Sequence, residues 1–235
     1  SLLESGCEFC GACIDVCPTG ALVERAHKWD KAVKTVTSVC PHCPVGCQMT
    51  LEIDKYNRLI RAIPNRHAAA NQGQACFKSK FGLDFVNRRE RLKKPLIRRN
   101  GILEETSWDK ALDLVADRLD RDKGDQFALI ASPRGTNEDN YVAQKFTRTV
   151  MATNNVDISS NLRPELVAPL GELLGNPAAT NSIWELESSA GLLIVSSNIT
   201  EEQNVLAVPI KRAARKGAAL IVIDQRETEL TRYAR

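Results

Sequence analysis

The sequence predicts an α/β fold in which two small cysteine-bearing modules lead into a parallel sheet with helices on both faces. Three observations predict it. All eight cysteines of the 235-residue chain fall in its first third, in two runs. From Thr106 onward, segments of helical period alternate with short apolar runs. Those runs are apolar at successive positions, as in strands covered on both faces, rather than at alternate ones.

The first run is Cys7, Cys10, Cys13 and Cys17, reading C-x2-C-x2-C-x3-C-P, and a turn through Pro18-Thr19-Gly20-Ala21-Leu22 closes it. This is the spacing of ferredoxin-type [4Fe–4S] ligation, so this part of the chain carries electrons. In two-cluster ferredoxins the fourth cysteine of a run ligates the other cluster. By that rule Cys7, Cys10 and Cys13 hold one cluster and Cys17 reaches to another; the alternative is one cluster on all four. The second run is Cys40, Cys43 and Cys47, completed by Cys76 after 28 residues. Three thiolates on one loop and a fourth distant in sequence clamp a cluster against a larger body. His42 lies inside this run, where it either tunes the cluster or faces solvent. An even count also permits four disulfides, but disulfide scaffolds spread their cysteines through the fold, and residues 77–235 have none. A zinc site is the remaining alternative for the second run.

Between the runs and the sheet, Met49–Ile53 and Leu59–Ile63 alternate like short strands about a Tyr56-Asn57-Arg58 turn. The basic stretch 87–101, with Arg88, Arg89, Arg91, Lys93 and Lys94, reads as a solvated connector. Thr106 or Ser107 can cap a helix whose apolar stripe is Trp108, Ala111, Leu112, Val115 and Leu119. Phe127–Ala131 then reads as a buried strand, 138–151 as a helix with Val142, Phe146 and Val150 on one face, and Gly191–Ser197 as a second buried strand. A helix from about Glu201 to Lys216, stopped by Gly217, leads to a third strand, Ala219–Asp224. Strand–helix–strand order of this kind makes βαβ units and a doubly wound, Rossmann-like parallel sheet. The expected divisions are a ferredoxin-like segment over 1–35, a small β-rich [4Fe–4S] domain over 36–94 and the α/β domain over 95–235.

Composition excludes other classes. A net charge of +3 is too small to argue for nucleic acid. No stretch approaches the roughly 18 apolar residues of a membrane span, and no signal peptide is visible. The chain opens six residues before a cluster motif, without Met, and stops at Arg235 in mid-pattern, so it reads as a fragment. Free thiolates imply a reducing compartment or a protected assembly, hence a cytoplasmic chain, held at a membrane only through partners.

The wording after Cys76, Phe77-Lys78-Ser79-Lys80-Phe81-Gly82, joins Arg91 to Arg98, Thr106 to Ala111, Thr136 to Tyr141, Thr153 to Asp157, Ser197 to Glu201 and Asp224 to Thr228. Together these closely resemble the molybdopterin oxidoreductase family, in particular formate dehydrogenase catalytic subunits, over essentially the whole chain. The resemblance implies a molybdopterin guanine dinucleotide carrying molybdenum or tungsten, formate as substrate, and redox partner subunits of iron–sulfur, flavin/NAD or hydrogenase type. It implies that Lys78 relays electrons between cluster and pterin. It also implies that Ser197, Asn198, Thr200, Asp224, Arg226 and Thr228, which follow strands, bind the dinucleotide arm.

Three positions depart from the family. The cysteine or selenocysteine metal ligand, followed by histidine, falls on Leu162 or Arg163, and 158–170 contains neither Cys nor His. Asp157, Ser159 or Ser160 would supply an oxygen ligand only from several residues earlier. The family's glycine after the lysine is Ser79, and its proline in the strand-end motif is Gln225. The missing ligand points to clusters that form beside impaired metal chemistry. The corresponding alternative is an electron-transfer subunit resembling the large iron–sulfur subunit of NADH dehydrogenase, whose wording C-P-V-G-C at Cys43–Cys47 is similar.

Overall fold

A computed structural model describes residues 5–158, 164–175 and 179–234. In chain order the elements are α1 (Ala12–Asp15), β1 (Lys34–Val39), β2 (Gln48–Ile53), β3 (Leu59–Pro64), α2 (Phe77–Phe81), β4 (Leu96–Arg99), β5 (Ile102–Glu105), α3 (Trp108–Leu119), β6 (Leu129–Ala131), α4 (Asn137–Thr149), β7 (Val156–Ile158), α5 (Pro164–Leu174), β8 (Gly191–Val195), α6 (Ile199–Glu202), α7 (Asn204–Arg215) and β9 (Ala219–Ile223). They form two compact units, Ser1–Asn87 with Ala168–Arg235, and Arg88–Val167.

The first unit holds both cysteine runs. Strands β1, β2 and β3 form an antiparallel sheet in that order. The β2–β3 turn falls where the alternation predicts it. Asn57 takes a left-handed φ of 60°, and one Asp54 carboxylate oxygen accepts the Tyr56 and Arg58 amides at 2.9 Å each. Strand β1 is exposed along its length and mostly polar, so no apolar pattern announces it; it is an edge strand. Cys40, Cys47, Met49, Ala62, Leu83 and Val205 form one core cluster. A second, of Ile199, Ala207, Ile210, Leu220 and Leu230, packs α7 against the β8–β9 pair with Leu192, Ile194 and Val222. Each such fully buried aliphatic side chain contributes roughly 1.5–3 kcal/mol.

Strands β8 and β9 are parallel, Gly191 opposite Ala219 through Val195 opposite Ile223, with α6 and α7 as the crossover. The helix expected to run unbroken from Glu201 instead begins at Ile199 and breaks at Gln203, whose backbone leaves the helical region at φ −138° and ψ 58°. There the Asn204 amide donates to the Thr200 carbonyl at 3.1 Å, which the ordinary helical ladder would otherwise engage.

In the second unit, β4 and β5 form a hairpin about Asn100-Gly101, with φ of 48° and 84°. Two left-handed residues are what a two-residue turn between right-twisted strands requires. The connector predicted over 87–101 is therefore part strand from Leu96 onward. Ser107 caps α3, its hydroxyl accepting the Lys110 amide. Strands β6 and β7 are parallel neighbours joined through α4, a βαβ unit. A capping box fixes the start of α4: the Thr136 hydroxyl accepts the Asp139 amide and the Asp139 carboxylate accepts the Thr136 amide, both at 3.1 Å. Phe127 meets Phe146 edge to face at 6.4 Å, and Thr147 and Met151 are fully buried.

The expected α/β class is present in its coarser form. The described residues form a mixed α/β structure with four separate small sheets, two of them parallel pairs, and no single wound sheet is present among them. The strands predicted to be buried on both faces are covered on one. Ile130 is 74% exposed, and Leu193, Val195, Ile221 and Ile223 project outward, each more than half exposed. The predicted stripe of α3 is likewise open at Trp108, Leu112 and Val115. A second apolar face is required for burial between two layers, but it does not by itself supply the second layer. No helix among the described residues is long and apolar enough to cross a membrane.

Candidate redox site

The second cysteine run sits where strand geometry can hold it. Cys40 follows β1 and Cys47 precedes β2, and the Cys40 amide donates to the Cys47 carbonyl at 2.8 Å, pinching the intervening loop closed. Gly46 supplies the left-handed φ of 70° that turns the chain back. Cys76 arrives from 28 residues away because Asn71 anchors its approach. This side chain is fully buried; its oxygen accepts the Gln48 amide at 3.0 Å while its amide donates to the carbonyls of Gln48 and Gln74. Cys76 then becomes the N-cap of α2, and Ser79 closes the box: its hydroxyl accepts the Cys76 amide at 3.0 Å and donates to the Cys76 carbonyl at 2.9 Å. The serine that departs from the family's glycine thus fixes the backbone of Cys76.

The thiols of Cys40, Cys43, Cys47 and Cys76 lie near enough to one another to interact electrostatically. Burial, then the neighbouring thiols of Cys43, Cys40 and Cys76, pushes Cys47 up to about 12. Burial raises Cys40 too, offset in part by the His42 amide, with Cys76 and Cys43 adding to the rise. Like charges so placed cannot all ionise without a cation among them, and ferric and ferrous iron supply one. All eight cysteines are free thiols, which removes the disulfide reading. Among the described residues no three Cys, His, Asp or Glu side chains converge as the ligands of a single ion. A cubane spreads its thiolates wider than zinc does. His42 Nε2 is buried without a hydrogen-bond partner, as a donor facing a cluster's sulfur would be. The residues therefore fit a four-iron cluster.

The first run lies on a tighter loop. Gly11, at φ 74°, starts α1, and a Cβ there would come within 2.8 Å of both Lys80 and Phe81. The position demands glycine by conformation and by space. Cys7 and Cys13 are exposed, and Cys10 and Cys17 are partly covered. The Leu22 amide, then the Thr19 hydroxyl, lowers the Cys17 thiol to about 7, so the turn that follows this run favours the thiolate that iron requires. Downstream, the Arg61 guanidinium donates to the carbonyls of His27 and Asp30 and ties the segment to β3.

Cys7 of the first run, Cys43 and Cys76 of the second, His42, Lys78 and Thr200 line one cavity of about 510 Å³. The exposed Lys78 amine donates to the Glu201 carbonyl at 3.1 Å. A larger cavity of about 680 Å³ lies beside Cys17.

The residues expected to take a dinucleotide arm gather at one edge. Ser197, Asn198 and Thr200 follow β8, and Asp224, Arg226 and Thr228 follow β9; the Ser196 amide donates to the Ile223 carbonyl across that edge. Asn198, Thr200 and Thr228 are buried, and the Thr200 hydroxyl bonds the Asn198 side-chain oxygen at 2.9 Å. Asp224 accepts the Arg226 amide, and Arg226 itself is exposed. These are polar groups at the carboxyl ends of parallel strands, where α/β sheets bind nucleotides. Gln225, which replaces the family's proline, is exposed beside them. Leu162 and Arg163, with Ser159 and Ser160, lie outside the described residues. Asp157 ends its bonding locally, accepting the Ile158 amide.

Sequence reasoning took Asn71 only as part of the stretch around Cys76 and did not find its anchoring role, nor the acidic residues of the first run that pair with distant lysines. Comparison with known proteins matches these parts. The model of the molybdopterin oxidoreductase family matches residues 91–235, that of the molybdopterin oxidoreductase Fe4S4 domain 33–88, and that of the 4Fe-4S binding domain 3–23. The chain is 40% identical to a formate dehydrogenase alpha subunit of Methanococcus maripaludis over 85% of its own length and 30% of the relative's. It is 39% identical to formate dehydrogenase H of Escherichia coli, over 86% of this chain and 30% of that one. It is also 37% identical to an NADH-quinone oxidoreductase subunit of Rhizobium meliloti, over 98% of this chain and 27% of that one. The chain thus spans about 30% of the length of the curated relatives it matches. With two iron–sulfur domains leading into a domain that matches over more than half its length, this chain belongs to the molybdopterin oxidoreductase family.

Proposed function

We propose that this chain is the electron-transferring part of a formate dehydrogenase-like oxidoreductase that converts formate to CO2 and passes the electrons through [4Fe–4S] clusters. The meeting of Cys7, Cys43, Cys76 and Lys78 on one cavity, with Cys40 and Cys47 buried in the core of the same module, carries this reading. Functionally the chain divides into 1–35, 36–94 and 95–235. Cys7, Cys10, Cys13 and Cys17 hold one cluster or share two, and the second run with Cys76 holds its own.

When bound, a molybdenum or tungsten pterin accepts the two electrons that leave formate as it becomes CO2 and a proton. The chain's own residues do the rest. Ser197, Asn198, Thr200, Asp224, Arg226 and Thr228 orient the dinucleotide arm, supported by the buried hydroxyls at the strand ends. Lys78 places a positive charge between that site and Cys76, where it stabilises added electron density in passage. Residues 95–235 are the first part of a Rossmann-like, doubly wound domain, and the open apolar faces of its strands are surfaces such a sheet covers. Partners are further redox subunits, and the setting is cytoplasmic.

Two observations favour a second reading. Residues 158–170 hold no Cys or His, and the similarity to the NADH-quinone oxidoreductase relative spans nearly the whole chain. An electron-transfer subunit without metal turnover would have both features. Molybdenum and tungsten content of the full-length protein, purified without oxygen, separates the two. The main reading expects about one such metal per chain. Iron without either metal would leave the second.

A further inference from the structure

The first cysteine run carries two acidic residues among its ligands, Glu8 directly after Cys7 and Asp15 between Cys13 and Cys17. Carboxylates there add negative charge beside a cluster whose thiolate ligands are already negative, and charge near a cluster sets its reduction potential. Both are paired, and with cations that solvent scarcely reaches. Asp15 meets the amine of Lys80, whose side chain is 4% exposed and which also donates to the Gly11 carbonyl at 3.3 Å. Glu8 meets the amine of Lys211, 14% exposed, and accepts the Asn204 amide at 2.7 Å. Lys80 stands on α2, the helix that Cys76 caps; Lys211 and Asn204 stand on α7. The run is thus fastened at both ends, once to the element bearing the second cluster's distant ligand and once to the helix packed on the β8–β9 pair.

Buried ion pairs are expensive to desolvate, and their best-attested use is to fix one arrangement rather than to add stability. The arrangement fixed here places Cys7 on one cavity with Cys43, Cys76 and Lys78. We propose that Lys80 and Lys211 are positioning residues for the first run's cluster: they neutralise Glu8 and Asp15, hold the run against the second module, and keep that cluster's potential and its coupling to the next one at working values. This rests on the reading that both runs hold iron–sulfur clusters.

The test is redox titration of the whole protein followed by electron paramagnetic resonance, in wild type, Lys80→Met, Lys211→Met and Lys80→Arg. Each methionine variant leaves a carboxylate unpaired beside the run, so the first cluster's potential falls and the spin coupling between the two reduced clusters weakens. Lys80→Arg restores both. The double variant Asp15→Asn with Lys80→Met buries no lone charge. It carries the test if Lys80→Met loses iron, and it is expected to return the potential toward wild type while the coupling stays weak. Potential and coupling unchanged in both methionine variants, or, where Lys80→Met loses iron, coupling unchanged in the double variant, overturn the proposal. Absence of the first run's cluster from wild type itself would instead overturn the reading on which it rests.

Discussion

Replacing Cys76 by Ser removes about four iron atoms per chain and one cluster's resonance signal, while the first run's cluster remains. Serine is chosen because Cys76 has two tasks. As N-cap of α2 it donates its own amide to the Ser79 hydroxyl, which donates in turn to its carbonyl. A serine hydroxyl caps a helix at least as well, so α2 keeps its start and the loss is confined to ligation. The effect should extend to stability, because a metal site closed by distant residues turns binding energy into folding energy. Cys40 and Cys47 sit in the core with Met49, Ala62, Leu83 and Val205, and without the cluster their buried thiols hold that core less firmly. The check is iron and labile-sulfide analysis with thermal melting of wild type and variant side by side. Unchanged iron would show that the distant cysteine is not a ligand.

Lys78→Met should leave iron content and fold intact and slow formate-driven reduction of the clusters by about 10–100-fold, the usual effect of removing a supporting group beside a metal centre. The lysine is exposed and its amine bonds only to the Glu201 carbonyl among the contacts that place it on the cavity, so its removal leaves no buried group unpaired. Methionine keeps the stem and deletes the charge. Stopped-flow reduction of the clusters by formate reads the rate, and dithionite reduction of the same sample serves as the control. A rate equal to wild type would remove Lys78 from the electron path.

The two cysteine runs were legible because iron–sulfur ligation imposes spacing on the sequence, and the helix start at Ser107 because caps are local chemistry; the equally local box at Thr136 sets the start of α4 one residue before the 138 read from the apolar period. The hairpin at Asn100-Gly101 was equally local: an Asn-Gly pair flanked by Leu96-Ile97 and Ile102-Leu103 is a turn signal, masked by the surrounding arginines and lysines. Other features had no local signature. Strand β1 is a polar edge held by its pairing to β2. The clasp of the first run joins Asp15 to Lys80 across 65 positions and Glu8 to Asn204 across 196, separations at which no sequence pattern pairs two side chains. The single wound sheet exceeds what the described residues form for the same reason. Leu193, Val195, Ile221 and Ile223 are apolar, yet they are exposed among the described residues. Apolarity records which faces favour burial and not what buries them.

The most direct measurement is resonance spectroscopy of the anaerobically purified full-length protein with formate as the sole reductant. Formate alone is expected to reduce the [4Fe–4S] clusters of both runs. Clusters that dithionite reduces fully but formate leaves oxidised would contradict formate-driven electron transfer through this chain.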